Sequence, residues 1–154
     1  MIAVLQRVLS ASVIADGVPV GKCDKGYLIL LGVLKDDTSS DALLLAEKIS
    51  KLRVFSDGEG KMNLSVKDIE GGALVVSNFT LGANYSHGNR PDFFESAPPS
   101  VAEPLYEEFS SLLRERIGQV ETGVFGADMQ ISLEADGPVT IVMDSEKLKK
   151  GKKL

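Results

Sequence analysis

The chain has 154 residues, 44% of them apolar and 25% charged, with a net charge of −5. That size and composition fit one soluble globular domain with its own core, and the negative charge argues against broad non-specific binding to nucleic acid. A single cysteine, Cys23, excludes an intrachain disulfide framework and suits a reducing compartment; with one histidine, His87, it cannot complete a Cys/His zinc site within the chain.

The N-terminal run MIAVLQRVLSASVIA has no basic residue before its apolar stretch, and Gln6 and Arg7 interrupt it, so it reads as strand rather than signal peptide. Its alternation predicts two extended segments. No stretch approaches the length of a membrane span, and a cytoplasmic location is the expectation. After the turn ADGVPVG, the continuous apolar run YLILLGVL predicts a buried strand. DDTSSD supplies turn and cap residues for an amphipathic helix in DALLLAEKISKL, with Leu45, Ile49 and Leu52 at helical spacing. A short hairpin is expected at Asp57-Gly58, then a buried strand in ALVVSNFTL and a long irregular loop, GANYSHGNRPDFFESAPP.

Ser100 and Glu103 fit a capping box for a second helix. Val101, Leu105, Phe109, Leu112 and Ile117 make one apolar stripe, and Pro104 falls in the first turn. MQISLEA and VTIVM read as two closing strands. Between them stands DGPVT, where a plain hairpin would do better without a proline. It is either a tight turn or a stretch whose backbone has a functional task. The fold class is mixed α and β: a layered, barrel-like sheet core with two main helices packed on one side. One domain covers residues 1–144. The tail over 145–154 carries Lys147, Lys149, Lys150, Lys152 and Lys153, and is expected to be flexible. Taking those five from the 17 basic residues leaves 12 against 22 acidic ones, so the tail is either a solvated end or an arm that touches phosphate.

The usual catalytic kits are missing. Nothing aims His87, in its glycine-flanked loop, at a serine, and Cys23 reads as a buried thiol. No phosphate-binding loop occurs, and no carboxylate pair stands out. SNFTL, Ser77 to Leu81, ends a buried strand with two hydroxyls and an amide, which suits an active site or a plain strand terminator equally.

A series of motifs, in one order and spacing, resembles D-aminoacyl-tRNA deacylases: QRV at 6–8, LLGV at 30–33, DGEGKMNLSV at 57–66, VVSNFTL at 75–81, NRPDF at 89–93 and TGVFGADMQISLEADGPVT at 122–140. The resemblance runs from residue 1 to about residue 142. It implies a homodimer that hydrolyses the ester joining a D-amino acid to the terminal adenosine of tRNA, and also acts on mischarged glycyl-tRNA, without cofactor or metal. It implies a site at the subunit interface built from Ser77, Asn78, Phe79 and Thr80, acting mainly through backbone N–H groups. Gly137 and Pro138, held cis, would enter from the partner subunit as the chirality filter. Arg7 supports that loop by analogy and otherwise reads as a strand arginine; Phe125 and Met129 line an adenine pocket or pack the core. The family usually has Gln where Asn78 stands, and the loop SHGNRPDF at 86–93 departs from the family's more basic form. An alternative is a non-catalytic nucleic-acid-binding dimer on the same fold.

Overall fold

The computed structural model describes residues 1–151. Its elements are β1 (Ile2–Ala15), β2 (Val18–Cys23), β3 (Gly26–Gly32), α1 (Ser39–Lys51), β4 (Phe55–Ser56), β5 (Met62–Leu64), β6 (Gly72–Ser77), a 3₁₀ turn over Phe79–Gly82, α2 (Pro99–Ile117), β7 (Val120–Thr122), β8 (Met129–Asp144) and α3 (Ser145–Gly151). The main sheet runs β2-β1-β3-β6-β7, with β8 also on β1. β1 is a single strand, not two segments. It serves three neighbours, pairing β3 with its first half, β2 with its second half and β8 along its whole length. The β3–β6 and β6–β7 pairs are parallel, and such pairs need crossovers; α1 and α2 lie in the intervening segments. β4 and β5 form the short hairpin expected at Asp57-Gly58.

The sheet curls until its ends nearly meet. A Cβ on Gly21 of β2 would lie 2.5 Å from the Thr122 carbonyl oxygen of β7, so only glycine permits that approach. Beside it the Lys22 N–H donates to Glu121 Oε2 at 2.5 Å.

Alternation along the buried strands separates two cores. Tyr27, Ile29 and Leu31 of β3, with Ala73 and Val75 of β6, pack against Leu45, Ile49, Leu105, Phe109 and Leu113 of the helices. Leu28, Leu74 and Val76 point the other way, inside the curl, where they meet Val8, Val13 and Cys23. Each core takes every second residue of β3 and β6, which is why both strands read as unbroken apolar runs.

α1 starts where expected. Thr38 is its N-cap, and the Asp41 carboxylate accepts from the Thr38 N–H at 3.0 Å. α2 starts differently. Its N-cap is Pro98, not Ser100, and Pro99 opens the helix, where a missing N–H costs nothing. Pro104 is therefore the sixth helical residue, beyond the first turn. The buried face is Ala102, Leu105, Tyr106, Phe109 and Leu113; Val101 is exposed and Leu112 only partly covered.

MQISLEA and VTIVM are not two strands of a hairpin. They are the two parts of β8, and both pair with β1. Gln6 pairs with Thr140 and Val8 with Ala135, so Asp136 to Val139 bulge out opposite Arg7.

Residues 145–151 form α3, docked on the start of α1: Ser145 Oγ donates to Asp41 Oδ1 at 2.6 Å, and Lys149 Nζ lies 2.6 Å from the same oxygen. Lys152, Lys153 and Leu154 lie outside the described residues. Among the described residues, no helix is long and apolar enough to cross a membrane.

Candidate active site

β6 runs out of the core at Ser77, and the chain turns at once. The Asn78 N–H donates to the Leu31 carbonyl at 2.8 Å, extending the β3–β6 alignment one step further. The 3₁₀ turn follows, and its position beside β3 depends on Gly32, whose Cβ would lie 2.8 Å from Leu81 Cβ. Thr80 Oγ1 donates to Asn78 Oδ1 at 2.5 Å, which locks the Asn78 amide against the turn. Among the described residues, neither the Phe79 nor the Thr80 N–H donates to a protein acceptor.

This turn forms one wall of a cavity of about 530 Å³. Ser77, Asn78 and Phe79 line that wall, and Phe125 and Met129 also line the cavity. The remaining sides come from Leu31 of β3 and Val33 just after it, from Phe93 and Ser96 in the long loop, and from Ala102 and Tyr106 of α2. Two hydrogen bonds converge on the Val75 carbonyl of β6. Tyr106 donates its hydroxyl at 3.0 Å and Gly123 its N–H at 3.0 Å, fixing α2 and the 123–128 loop to the same strand. Burial pushes the Tyr106 phenol up to about 12, so it is neutral and stays a donor. Its ring lies 5.9 Å from that of Phe125, tilted at 50°. Met129 crosses Gly123 so closely that a Cβ there would stand 2.7 Å from its sulfur. Much of the remaining lining is apolar, with Leu31, Val33, Phe93, Ala102, Phe125 and Met129. Among the described residues that line the cavity there is no carboxylate, histidine, cysteine or lysine.

The structure thus brings Ser77, Asn78, Phe79, Phe125 and Met129 into one cavity. Thr80 is exposed beside them, its hydroxyl turned to Asn78. Arg7, Gly137 and Pro138 are not among the lining residues of this single chain. Arg7 is buried, and its Nη1 donates to the Val54 carbonyl at 2.6 Å. Its Nε donates to the Asp136 carbonyl at 3.0 Å and lies 3.2 Å from Asp136 Oδ2. The bulge it holds is exposed at Gly137 and Pro138, whose shared peptide is cis. Gly137 has φ +139, a conformation L side chains rarely adopt.

The other candidates stay apart. His87 is exposed in its loop. Cys23 is buried inside the curl of the sheet, and burial pushes its thiol up to about 11, too high for a thiolate nucleophile near neutrality. No cluster of three His, Cys, Asp or Glu groups suited to a metal occurs among the described residues. Phe93, Ser96 and Tyr106 were not legible as site residues. Phe93 sits edge-on to Phe79 with ring centres 5.0 Å apart, and Ser96 Oγ donates to the Phe79 carbonyl at 2.7 Å. The NRPDF motif marks Phe93's neighbourhood, but nothing in the sequence pairs it with Phe79.

Residues 4–144 match the family model described as D-Tyr-tRNA(Tyr) deacylase. A relative from Anaeromyxobacter dehalogenans (strain 2CP-C), named D-aminoacyl-tRNA deacylase, is 53% identical over 148 residues, 96% of this chain and 99% of its own. One of the same name from Chloroflexus aurantiacus (strain ATCC 29364 / DSM 637 / Y-400-fl) is 55% identical over 149 residues, 97% of this chain and 93% of its own. Among solved structures, a c-Myc DNA Unwinding Element Binding Protein superposes with TM-score 0.87 at 40% identity, covering 94% of this chain and 98% of that one. A probable eukaryotic D-amino acid tRNA deacylase shares the fold at TM-score 0.80 and 18% identity, over 92% and 97% of the two chains. The chain therefore belongs to the D-Tyr-tRNA(Tyr) deacylase family: it is an enzyme, a hydrolase of the ester in D-aminoacyl-tRNA.

Proposed function

We propose that the cavity takes the terminal adenosine of an aminoacyl-tRNA and that backbone groups, not side chains, carry the chemistry. The observation behind this reading is the pairing of two unengaged N–H groups, at Phe79 and Thr80, with a cavity wall that lacks any acid or base. The adenine lies against Phe125 and Met129, where flat apolar surface suits a base. The ester carbonyl faces the turn. Water adds to the carbonyl carbon, the developing oxyanion accepts from the Phe79 and Thr80 N–H groups, and the ribose 3′ oxygen leaves with a proton. One such preorganised donor is worth roughly 3–4 kcal/mol in known oxyanion holes. An aminoacyl ester is already reactive, so the neighbouring 2′-hydroxyl of the RNA is enough to help activate the water. Ser77 and Asn78 position the turn, and Thr80 supports it through its bond to Asn78.

Selectivity comes from a second copy of the chain. The bulge at Gly137 and Pro138 enters the partner's cavity and presents carbonyl oxygens to the substrate ammonium, leaving no room for an L side chain. A D side chain points away, and glycine has none to exclude, so mischarged glycyl-tRNA is also hydrolysed. Exposed Leu133 and Val142 on the β8 strand that carries the bulge support a homodimer through that face. A free, buried Cys23 suits a cytoplasmic enzyme. The rival reading is a non-catalytic nucleic-acid-binding dimer on the same fold. One assay separates them: hydrolysis of D-tyrosyl-, L-tyrosyl- and glycyl-tRNA by the purified protein. Turnover of the first and third with the second spared is expected; no turnover of any would leave the binding role.

A further inference from the structure

We infer that Ser96 is a positioning residue that aims the Thr80 N–H. Its hydroxyl donates to the Phe79 carbonyl oxygen at 2.7 Å. The Phe79–Thr80 peptide is trans, since the cis bond among the described residues is Gly137–Pro138. A trans peptide is planar, with its C=O and N–H pointing in opposite directions. Fixing the Phe79 carbonyl toward Ser96 therefore turns the Thr80 N–H to the opposite side of the plane, away from Ser96. The inference rests on the reading of Phe79 and Thr80 as donors.

Ser96 is well mounted for that task. Its own N–H donates to the Phe93 carbonyl at 3.0 Å, and it bridges Leu34 across the chain leaving β3. On either side, the Lys35 N–H donates to the Glu95 carbonyl and the Ala97 N–H to the Val33 carbonyl, both at 2.9 Å. The hydroxyl has room only because residue 82 is glycine: a Cβ there would stand 2.3 Å from Ser96 Oγ. Residues 82 and 96 thus act on the same peptide from two segments of chain.

The test is single-turnover hydrolysis of D-tyrosyl-tRNA beside a measurement of tRNA affinity. Ser96→Ala is expected to slow hydrolysis about tenfold while tRNA affinity stays within about twofold of the parent. Gly82→Ala, which pushes the hydroxyl aside, is expected to slow it similarly, and the double variant to be no slower than the slower single. A Ser96→Ala rate within twofold of the parent, or a loss of affinity in place of rate, overturns the inference and leaves the deacylase reading intact. Additive losses in the double variant also overturn it. Ser96→Ala alone decides should Gly82→Ala not fold. A parent protein that does not hydrolyse D-tyrosyl-tRNA overturns both.

Discussion

Arg7 of β1 grips Asp136 of β8 twice, with Nε donating to the main-chain carbonyl at 3.0 Å and lying 3.2 Å from the carboxylate. One side chain thus secures both the backbone and the side chain of the residue at which the bulge begins. The same guanidinium reaches the Val54 carbonyl, so three segments share one buried cation.

Removing that cation has a predictable effect. Arg7→Ala strands the Val54 carbonyl without its buried donor and releases Asp136, at a cost of about 2–3 kcal/mol. For a chain of this size the melting temperature is expected to fall by roughly 5–10 °C. The ratio of D- to L-tyrosyl-tRNA hydrolysis should fall with it. A lower melting temperature with an unchanged ratio would mean that Arg7 only stabilises the fold.

Acid should undo the docking of α3. Burial raises the Asp41 carboxyl, but bonds from Lys149, Ser145 and the Thr38 N–H outweigh it and hold the group down at about 2. Its folded pKa lies below the unfolded one, so the stabilisation is full above about pH 4 and is lost as pH falls toward 2. With Lys149 partly exposed, its size is about 1–2 kcal/mol. Urea melts from pH 7 to pH 2 should show the parent losing its advantage over Asp41→Asn across that window. A constant gap would refute the assignment.

Side-chain chemistry at the remaining candidates should be dispensable. His87→Ala and Cys23→Ala are expected to leave single-turnover hydrolysis within about threefold of the parent, and Thr80→Ala to keep much of it. A hundredfold loss in any of them, with the fold intact, would show that a side chain acts where backbone N–H groups are proposed.

Phe125 should act on binding. Base–aromatic contacts are worth about 1–3 kcal/mol each, so Phe125→Ala is expected to raise KM roughly 5- to 100-fold with a smaller change in kcat. An unchanged KM would return Phe125 to a packing role against Tyr106.

Local signals were enough for much of this. The runs through Leu28 to Leu31 and Leu74 to Val76 announce buried strands, and the stretch DDTSSD announces a helix start. The diagnostic run from Ser77 to Thr80 does line the cavity wall or stand beside it. Phase errors came from local ambiguity: Leu112 and Leu113 fit a stripe through Leu105 almost equally, and only the packed sheet selects Leu113. The segments on either side of DGPVT are ambiguous for a different reason. Two short strands with a turn and one strand with a bulge have the same local sequence, and the partner that distinguishes them, β1, lies at the other end of the chain. Ser96 and Tyr106 were invisible because their roles are bonds to the backbone of β6 and its following turn, which no spacing encodes.

The near-closure of the sheet has a consequence for how copies of this chain behave in a crowded solution. A sheet that stops short of a full barrel keeps open edges, and an open edge can recruit strands from other molecules. Here β2 and β7 screen each other: Glu121 engages the Lys22 N–H, and Gly21 lets the two backbones draw together. Pro19 removes one further donor from β2. The seam discourages fibril-like stacking while leaving β8, on the other side of β1, free for specific company.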